Sequence, residues 1–263
     1  MTRVMGIVNV TPDSFSDGGD WLDVDAAVSH ARALIADGAD LIDIGGESTR
    51  PGSLPVDEAT ELRRVLPVIE RLVGTVGDAE ISIDTTKPAV ARASITAGAS
   101  IINDVSASLE TVAADTGAGW IAMHRLGSSE TMQQDPSYGD VVEEIHTFLS
   151  SAAQRGRAAG VERLWVDPGI GFGKTTAHNL ELLANLDRFS EIAPVLIGVS
   201  RKRFIGELHA RSDGISTETA VTDPDDRLEG SVALATWSTY LGADIVRVHD
   251  VRATVHAVRV VQS

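Results

Sequence analysis

The 263 residues carry a net charge of −16 and contain no cysteine. Disulfides, thiolate metal sites and a cysteine nucleophile are therefore excluded, and so acidic a chain is not a general nucleic-acid binder. With 43% apolar and 23% charged residues it reads as a globular protein with a substantial core. The first residues run straight into a strand pattern, without a leader or an apolar run of membrane length, so a cytoplasmic protein with no membrane partner is expected.

Short apolar runs alternate with helix-period segments from end to end. Residues 4–10 read as the first strand. A polar loop over 11–21 precedes a helix expected from about 24 to 37, which Gly38 stops. Strand two is expected at 40–45, followed by a loop over 46–56. Asp57 is placed to cap the next helix, where Leu62, Val65, Leu66, Ile69, Leu72 and Val73 share one face. Strand three covers 81–84, and its helix starts near Pro88, a favoured first-turn residue. Strands follow at 101–103 and 120–124. A loop then runs to Tyr138, before a long helix with Val141, Ile145, Phe148, Leu149 and Ala152 on one face. The run Leu164-Trp165-Val166 is strand six, 195–199 strand seven and 244–247 strand eight, with a closing helix to 261.

Strand six ends on a carboxylate and enters Asp167-Pro168-Gly169-Ile170-Gly171-Phe172-Gly173-Lys174. Glycine tolerates backbone angles closed to other residues and lets a ligand approach the main chain. Eight strand-then-helix units without a compositional break predict a single-domain α/β protein, a (β/α)8 TIM barrel over residues 1–263. The alternative is an open doubly wound sheet, but no dinucleotide fingerprint follows the first strand. Residues 211–227, polar and acidic, are the expected mobile insertion after strand seven.

In such a barrel every strand ends at one mouth. There the sequence puts Asn9, Asp43, Asp84, Asn103, His124, Asp167, the triplet Ser200-Arg201-Lys202, Arg247 and His249. Each alone is more often a cap or a loop anchor; together, Asp84, Asn103 and Asp167 make a wall suited to a flat heterocycle with amidine-like N–H groups, because a carboxylate accepts two parallel N–H bonds. Lys202, Arg247 and His249 stand after strands seven and eight, where barrels often bind phosphate. Asn9 is a plausible oxygen ligand for a hard cation such as Mg²⁺. No His/Glu cluster of zinc type is present.

Seven motifs occur in order: Gly6-Ile7-Val8-Asn9-Val10-Thr11-Pro12-Asp13-Ser14-Phe15-Ser16-Asp17-Gly18-Gly19; Asp43-Ile44-Gly45-Gly46-Glu47-Ser48-Thr49-Arg50-Pro51-Gly52; Ser82-Ile83-Asp84-Thr85; Ile102-Asn103-Asp104-Val105; the run from Asp167 to Lys174; Ser200-Arg201-Lys202; and Arg247-Val248-His249-Asp250. On these the chain resembles the dihydropteroate synthases over its full length. It departs from them after strand five, where Met-His is often followed by Met-Arg-Gly but here Met123-His124 leads to Arg125-Leu126-Gly127. The resemblance implies a transferase of folate biosynthesis that joins (7,8-dihydropterin-6-yl)methyl diphosphate to 4-aminobenzoate. It implies pterin and diphosphate contacts from Thr49, Asp84, Asn103, Met123, Asp167, Gly171, Phe172, Lys202, Arg247 and His249. It implies aminobenzoate contacts from Thr49, Arg50, Pro51, Phe172, Ser200 and Lys202, and catalytic roles for Asp17, Arg50, Lys202, Arg247 and His249. It also implies Mg²⁺ on Asn9 and a homodimer. A folate-binding methyltransferase domain shares the barrel and the pterin wall, but has no diphosphate for Lys202, Arg247 and His249 to hold. The polar, glycine-containing loops 11–21 and 46–56 are expected to order only around bound diphosphate, so that aminobenzoate binds second.

Overall fold

The computed structural model describes residues 1–11, 19–48, 53–128, 131–215 and 223–263. Strands and helices alternate in it: β1 (Arg3–Asn9), α1 (Gly19–Ala36), β2 (Leu41–Gly45), α2 (Glu58–Leu72), β3 (Glu80–Asp84), α3 (Pro88–Ala97), β4 (Ile101–Asp104), α4 (Glu110–Thr116), β5 (Gly119–Met123) and α5 (Val141–Ala159). They continue with β6 (Leu164–Asp167), α6 (Thr176–Ala184), α7 (Leu186–Ser190), β7 (Leu196–Ile197), α8 (Arg203–Ser212), α9 (Leu228–Tyr240), β8 (Ile245–Val248) and α10 (Val251–Gln262). All pairings are parallel, in the order β6-β5-β4-β3-β2-β1-β8-β7. The two edges meet at one bridge, Val166 to Val195, beside a 3.0 Å bond from Val166 N to Pro194 O. The (β/α)8 barrel is therefore nearly closed, with β6 and β7 as its thinnest seam, and the open doubly wound alternative is ruled out.

Strand periodicity divides the core in two. Met5, Leu41, Ile101, Ile121, Trp165, Leu196 and Ile245 form a buried cluster of their own inside the barrel. Their neighbours along each strand, including Val4, Ile42, Ile102, Trp120, Val166, Ile197 and Val246, join the larger cluster between barrel and helices. Two residues beyond the inner layer, side chains point inward again, and there the chain carries Asp43 after Leu41, Asn103 after Ile101, Met123 after Ile121, Asp167 after Trp165 and Arg247 after Ile245. The apolar layer is thus the floor of the mouth, and the next rung is its polar lining. At the opposite end Trp165 plugs the barrel. Its Nε1 donates to Asp244 Oδ2 at 2.7 Å, and Arg3 and Arg163 lie 5.3 and 5.4 Å from its ring. Glu80 accepts from both arginines.

Local signals hold at several helix ends. Asp57 caps α2 through Thr60 N, and Pro88 opens α3. Other expectations shift. Helix α1 begins at Gly19 rather than near 24. Val73 leaves the α2 face as its C-cap residue and is 44% exposed. The expected insertion at 211–227 is largely structured where it is described: α8 runs to Ser212, a 3-10 turn covers Pro224–Asp226, and Arg227 is buried with Nη1 donating to Arg201 O at 2.9 Å. Residues 216–222 lie outside the described residues, as do 12–18 and 49–52, on which the loop-ordering expectation falls.

Asp104 ends β4 on the outer face, fully buried. It accepts from Ser106 N and Oγ, Ser108 N, Leu109 N and Trp120 Nε1, so one carboxylate shapes the loop that follows Asn103. Replacing it with Ala strands these donors, and an unsatisfied buried group costs about 1–3 kcal/mol. Asp104→Ala is expected to lose at least about 3 kcal/mol in urea denaturation; a loss below about 1 kcal/mol would show that the β4 loop is held elsewhere.

Candidate active site

The polar rung meets across the mouth through Arg247. Its Nε donates to Asp43 Oδ2 at 2.6 Å, and its Nη2 to Asp84 Oδ2 at 2.9 Å. Asn103 Nδ2 donates to the same Asp43 oxygen at 2.9 Å, while Asp43 Oδ1 is buried without a hydrogen-bond partner among the described residues. Strands β2, β3, β4 and β8 are thereby cross-linked at their C-terminal ends. Asp43 was legible at the mouth but carried no assigned role; here it is the centre of the network, with no solvent exposure.

The carboxylates are under strain from desolvation. Burial first, and the charge of Asp43 second among the unfavourable causes, push Asp84 up to about 7 against the pull of Arg247. Burial likewise raises Asp167 to about 6, against a 2.7 Å bond from Gly169 N and the charges of Lys202 and Lys174. Both acids titrate near neutrality, so their ionised forms gain from any ligand that brings N–H donors.

Asp167 is the last residue of β6, in register with Met123, and both are buried. The following turn has Gly169, Gly171 and Gly173 at φ of 69°, 81° and 67°. A Cβ on Gly169 would stand 1.8 Å from His124 O, so the turn is pressed against the loop after β5. Lys202 leans over this turn, its Nζ 4.0 Å from the Phe172 ring centroid. A Cβ on Gly171 would meet Lys202 Cδ at 3.1 Å. Burial, then the neighbouring Arg247, lower Lys202 to about 8.

Beside Lys202, Ser200 Oγ accepts from His249 N at 3.1 Å and lies 3.1 Å from His249 Nδ1. Burial, with Arg247 and Arg201 nearby, takes His249 down to about 3, so its ring is neutral, and the Nδ1–Ser200 pair is joined in whichever sense the tautomer sets. Arg201 between them has φ of 59°, an uncommon angle for a side chain with Cβ. It is fixed by two bonds to Asp250, at 3.1 and 2.8 Å, and by Ser231 Oγ on its N–H at 2.9 Å. The strained residue turns the chain so that Ser200 and Lys202 both face the mouth.

The structure thus gathers Asp84, Asn103, Met123, Asp167, Gly171, Phe172, Ser200, Lys202, Arg247 and His249 around one opening, with Asn9 at the end of β1 on its rim. Asp17, Thr49, Arg50 and Pro51 lie outside the described residues. Sequence reasoning gave no role to Asp43, His124 or Lys174. Lys174 is buried, with Nζ 3.0 Å from both His124 Nδ1 and Phe172 O.

Residues 5–249 match the family model described as "Pterin binding enzyme". Dihydropteroate synthase from Escherichia coli is 45% identical over 99% of this chain and 91% of its own length. The structure of Xanthomonas albilineans dihydropteroate synthase with 4-aminobenzoic acid is 49% identical, with a TM-score of 0.89 over 99% of this chain and 92% of that one. A structure of the same enzyme in complex with 7,8-dihydropteroate is 47% identical at a TM-score of 0.86, with the same coverage. Barrel, polar rung and family model define a pterin-binding enzyme of the (β/α)8 class. Within that class the chain belongs to the dihydropteroate synthase family, whose members are transferases.

Gly169→Ala places a Cβ inside the van der Waals radius of a backbone carbonyl and at a positive φ. The turn must move, taking with it the N–H that holds Asp167. We expect pterin affinity, measured calorimetrically, to fall at least about tenfold with a lower Tm. Unchanged affinity would show that the turn does not set the position of Asp167.

Proposed function

We propose that this chain condenses (7,8-dihydropterin-6-yl)methyl diphosphate with 4-aminobenzoate, giving 7,8-dihydropteroate and diphosphate, as a cytoplasmic step of folate biosynthesis. The observation that carries this reading is the inner rung: Asp84, Asn103 and Asp167 face Arg247 and Lys202 across one desolvated opening. The Xanthomonas relatives bound to 4-aminobenzoic acid and to 7,8-dihydropteroate support the same pair of ligands here.

Asp167 and Asp84 accept the pterin ring N–H groups, Asn103 matches the ring edge, and Met123 and Gly171 line the ring's slot. Arg247, His249 and Lys202 face the diphosphate. Phe172, Lys202 and Ser200 flank the arylamine; Thr49, Arg50, Pro51 and Asp17 complete the site on the strength of their motifs. An arylamine is a weak nucleophile, so the residues act chiefly on departure of the leaving group. The amine nitrogen bonds to the methylene carbon as the C–O bond breaks, and diphosphate leaves with the electron pair. The proton lost from nitrogen passes to the departing diphosphate. Fixed cations aimed at developing charge supply the largest share of such catalysis.

Magnesium fits the residues present. Asn9 offers one amide oxygen at the rim, and Gly45 leaves room beside it: a Cβ there would stand 3.8 Å from Asn9 Oδ1 and 3.7 Å from Asp84 Oδ2. Mg²⁺ is held by few protein oxygens when phosphates supply the rest. Bound there, it would neutralise charge on the diphosphate. The same reading makes the chain a homodimer. On α9, Trp237 and Tyr240 are 51% and 71% exposed and stacked 5.9 Å apart, an apolar surface suited to a second copy. Sedimentation at one chain mass would contradict the dimer.

The direct test is diphosphate release on mixing both substrates with Mg²⁺. Asp167→Asn should weaken pterin binding at least about tenfold, because one ring N–H then faces an amide N–H. Arg247→Ala should weaken a pterin without diphosphate, because the guanidinium also holds Asp84 and Asp43, and should weaken the diphosphate substrate further still. Pterin binding with no diphosphate release from the wild type would leave a binding protein instead of a synthase.

A further inference from the structure

The turn after β6 is held by side chains rather than by secondary structure. Its successive carbonyls each have a dedicated donor. Gly171 O accepts Gln133 Nε2 at 2.6 Å, Phe172 O accepts Lys174 Nζ at 3.0 Å, and Gly173 O accepts Tyr138 OH at 2.9 Å. Gln133 and Tyr138 come from the loop after β5, and Gly171 N is fixed by Asn179 Oδ1 at 2.8 Å. Of the three donors, Lys174 alone is deeply buried, at 3% exposure.

Lys174 also reaches the β5 loop, where His124 Nδ1 accepts from its Nζ at 3.0 Å. His124 is itself fixed: its ring meets Phe148 edge-on at 5.0 Å and Tyr138 at 6.2 Å. Burial, then Lys174, lower His124 to about 3, which keeps Nδ1 an acceptor; burial lowers Lys174 to about 7. Either protonation state of the amine has donors for both acceptors. Burying an amine costs free energy that an apolar side chain would not. Here that cost places one group between Phe172 O, a neighbouring strand's loop and the carboxylate of Asp167.

We propose that Lys174 is a positioning residue: by tying the Phe172 carbonyl to His124 it sets where the Phe172 ring stands beneath Lys202, and thereby the affinity for the arylamine. This rests on the reading above that Phe172 and Lys202 flank aminobenzoate. Lys174 does not itself touch that ligand; it acts through the turn.

Lys174→Met keeps the length and removes the donors. Steady-state kinetics, scaled to the folded fraction, should show KM for aminobenzoate raised about tenfold and KM for the pterin diphosphate changed by less than about threefold. Phe172→Leu should raise the aminobenzoate KM on its own, and the double variant should be no worse than Phe172→Leu alone, since residues acting through one another are not additive. A merely structural lysine would lower Tm and the folded fraction without producing this KM split. If the Met variant does not fold, Lys174→Gln, which keeps a donor for Phe172 O, should give an intermediate KM with the same non-additivity. Equal rises in both KM values, multiplying effects in the double variant, or an unchanged aminobenzoate KM would each overturn the proposal. Loss of the functional reading would look different: no diphosphate released by the wild type.

Discussion

Arg247 holds the mouth of this barrel together. One guanidinium bridges the carboxylates at the ends of β2 and β3, and Asp43 passes the link to Asn103 on β4. Asp43 is fully buried and Arg247 keeps 19% of its side chain exposed, which makes the network costly: desolvating such charges outweighs much of their mutual attraction. A hydrophobic rung at this level would extend the floor formed by Met5, Leu41, Ile101, Ile121, Trp165, Leu196 and Ile245 and would stabilise the fold at no such cost. The polar rung is therefore best understood as placed for a ligand. Three carboxylates face Arg247 and Lys202, and the raised Asp84 and Asp167 record a site short of hydrogen-bond donors.

Stability and chemistry are divided between the two ends. At the N-terminal end, Trp165 is sealed by Arg3, Arg163, Glu80 and Asp244, all pairs that satisfy one another. At the C-terminal end the groups are arranged in less comfortable ways. Arg201 adopts a left-handed backbone angle, Gly169 lies against a carbonyl, and Lys174 is buried as an amine. Each is tolerated because several surrounding contacts fix it, as Asp250, Ser231 and Arg227 do for Arg201.

Much of this was legible in the sequence, because a barrel turns period two into geometry. Once Leu41, Ile101 and Trp165 are inner-layer residues, Asp43, Asn103 and Asp167 must share the rung above. What the sequence could not show was pairing over long separations. Arg247 and Asp43 are 204 residues apart in sequence, so nothing local distinguishes Asp43 from a helix-capping acid. Lys174 and Arg227 resemble solvent-facing basic residues in polar stretches, and only packing reveals them as buried. The short helices α4 and α7, of 7 and 5 residues, offer too little periodicity to be read.

The central claim is that burial holds the mouth carboxylates Asp84 and Asp167 near neutrality until N–H donors arrive. Calorimetric binding of 6-hydroxymethylpterin, repeated at pH 6.5 in buffers of different ionisation enthalpy, tests it most directly. Asp84 and Asp167, raised to about 7 and about 6, are partly protonated there, and a ligand that hydrogen-bonds their ionised forms must drive protons off. Net proton release on binding, fading by pH 8 and reduced in Asp167→Asn, is the predicted result. A binding enthalpy independent of buffer, or net proton uptake, would contradict it.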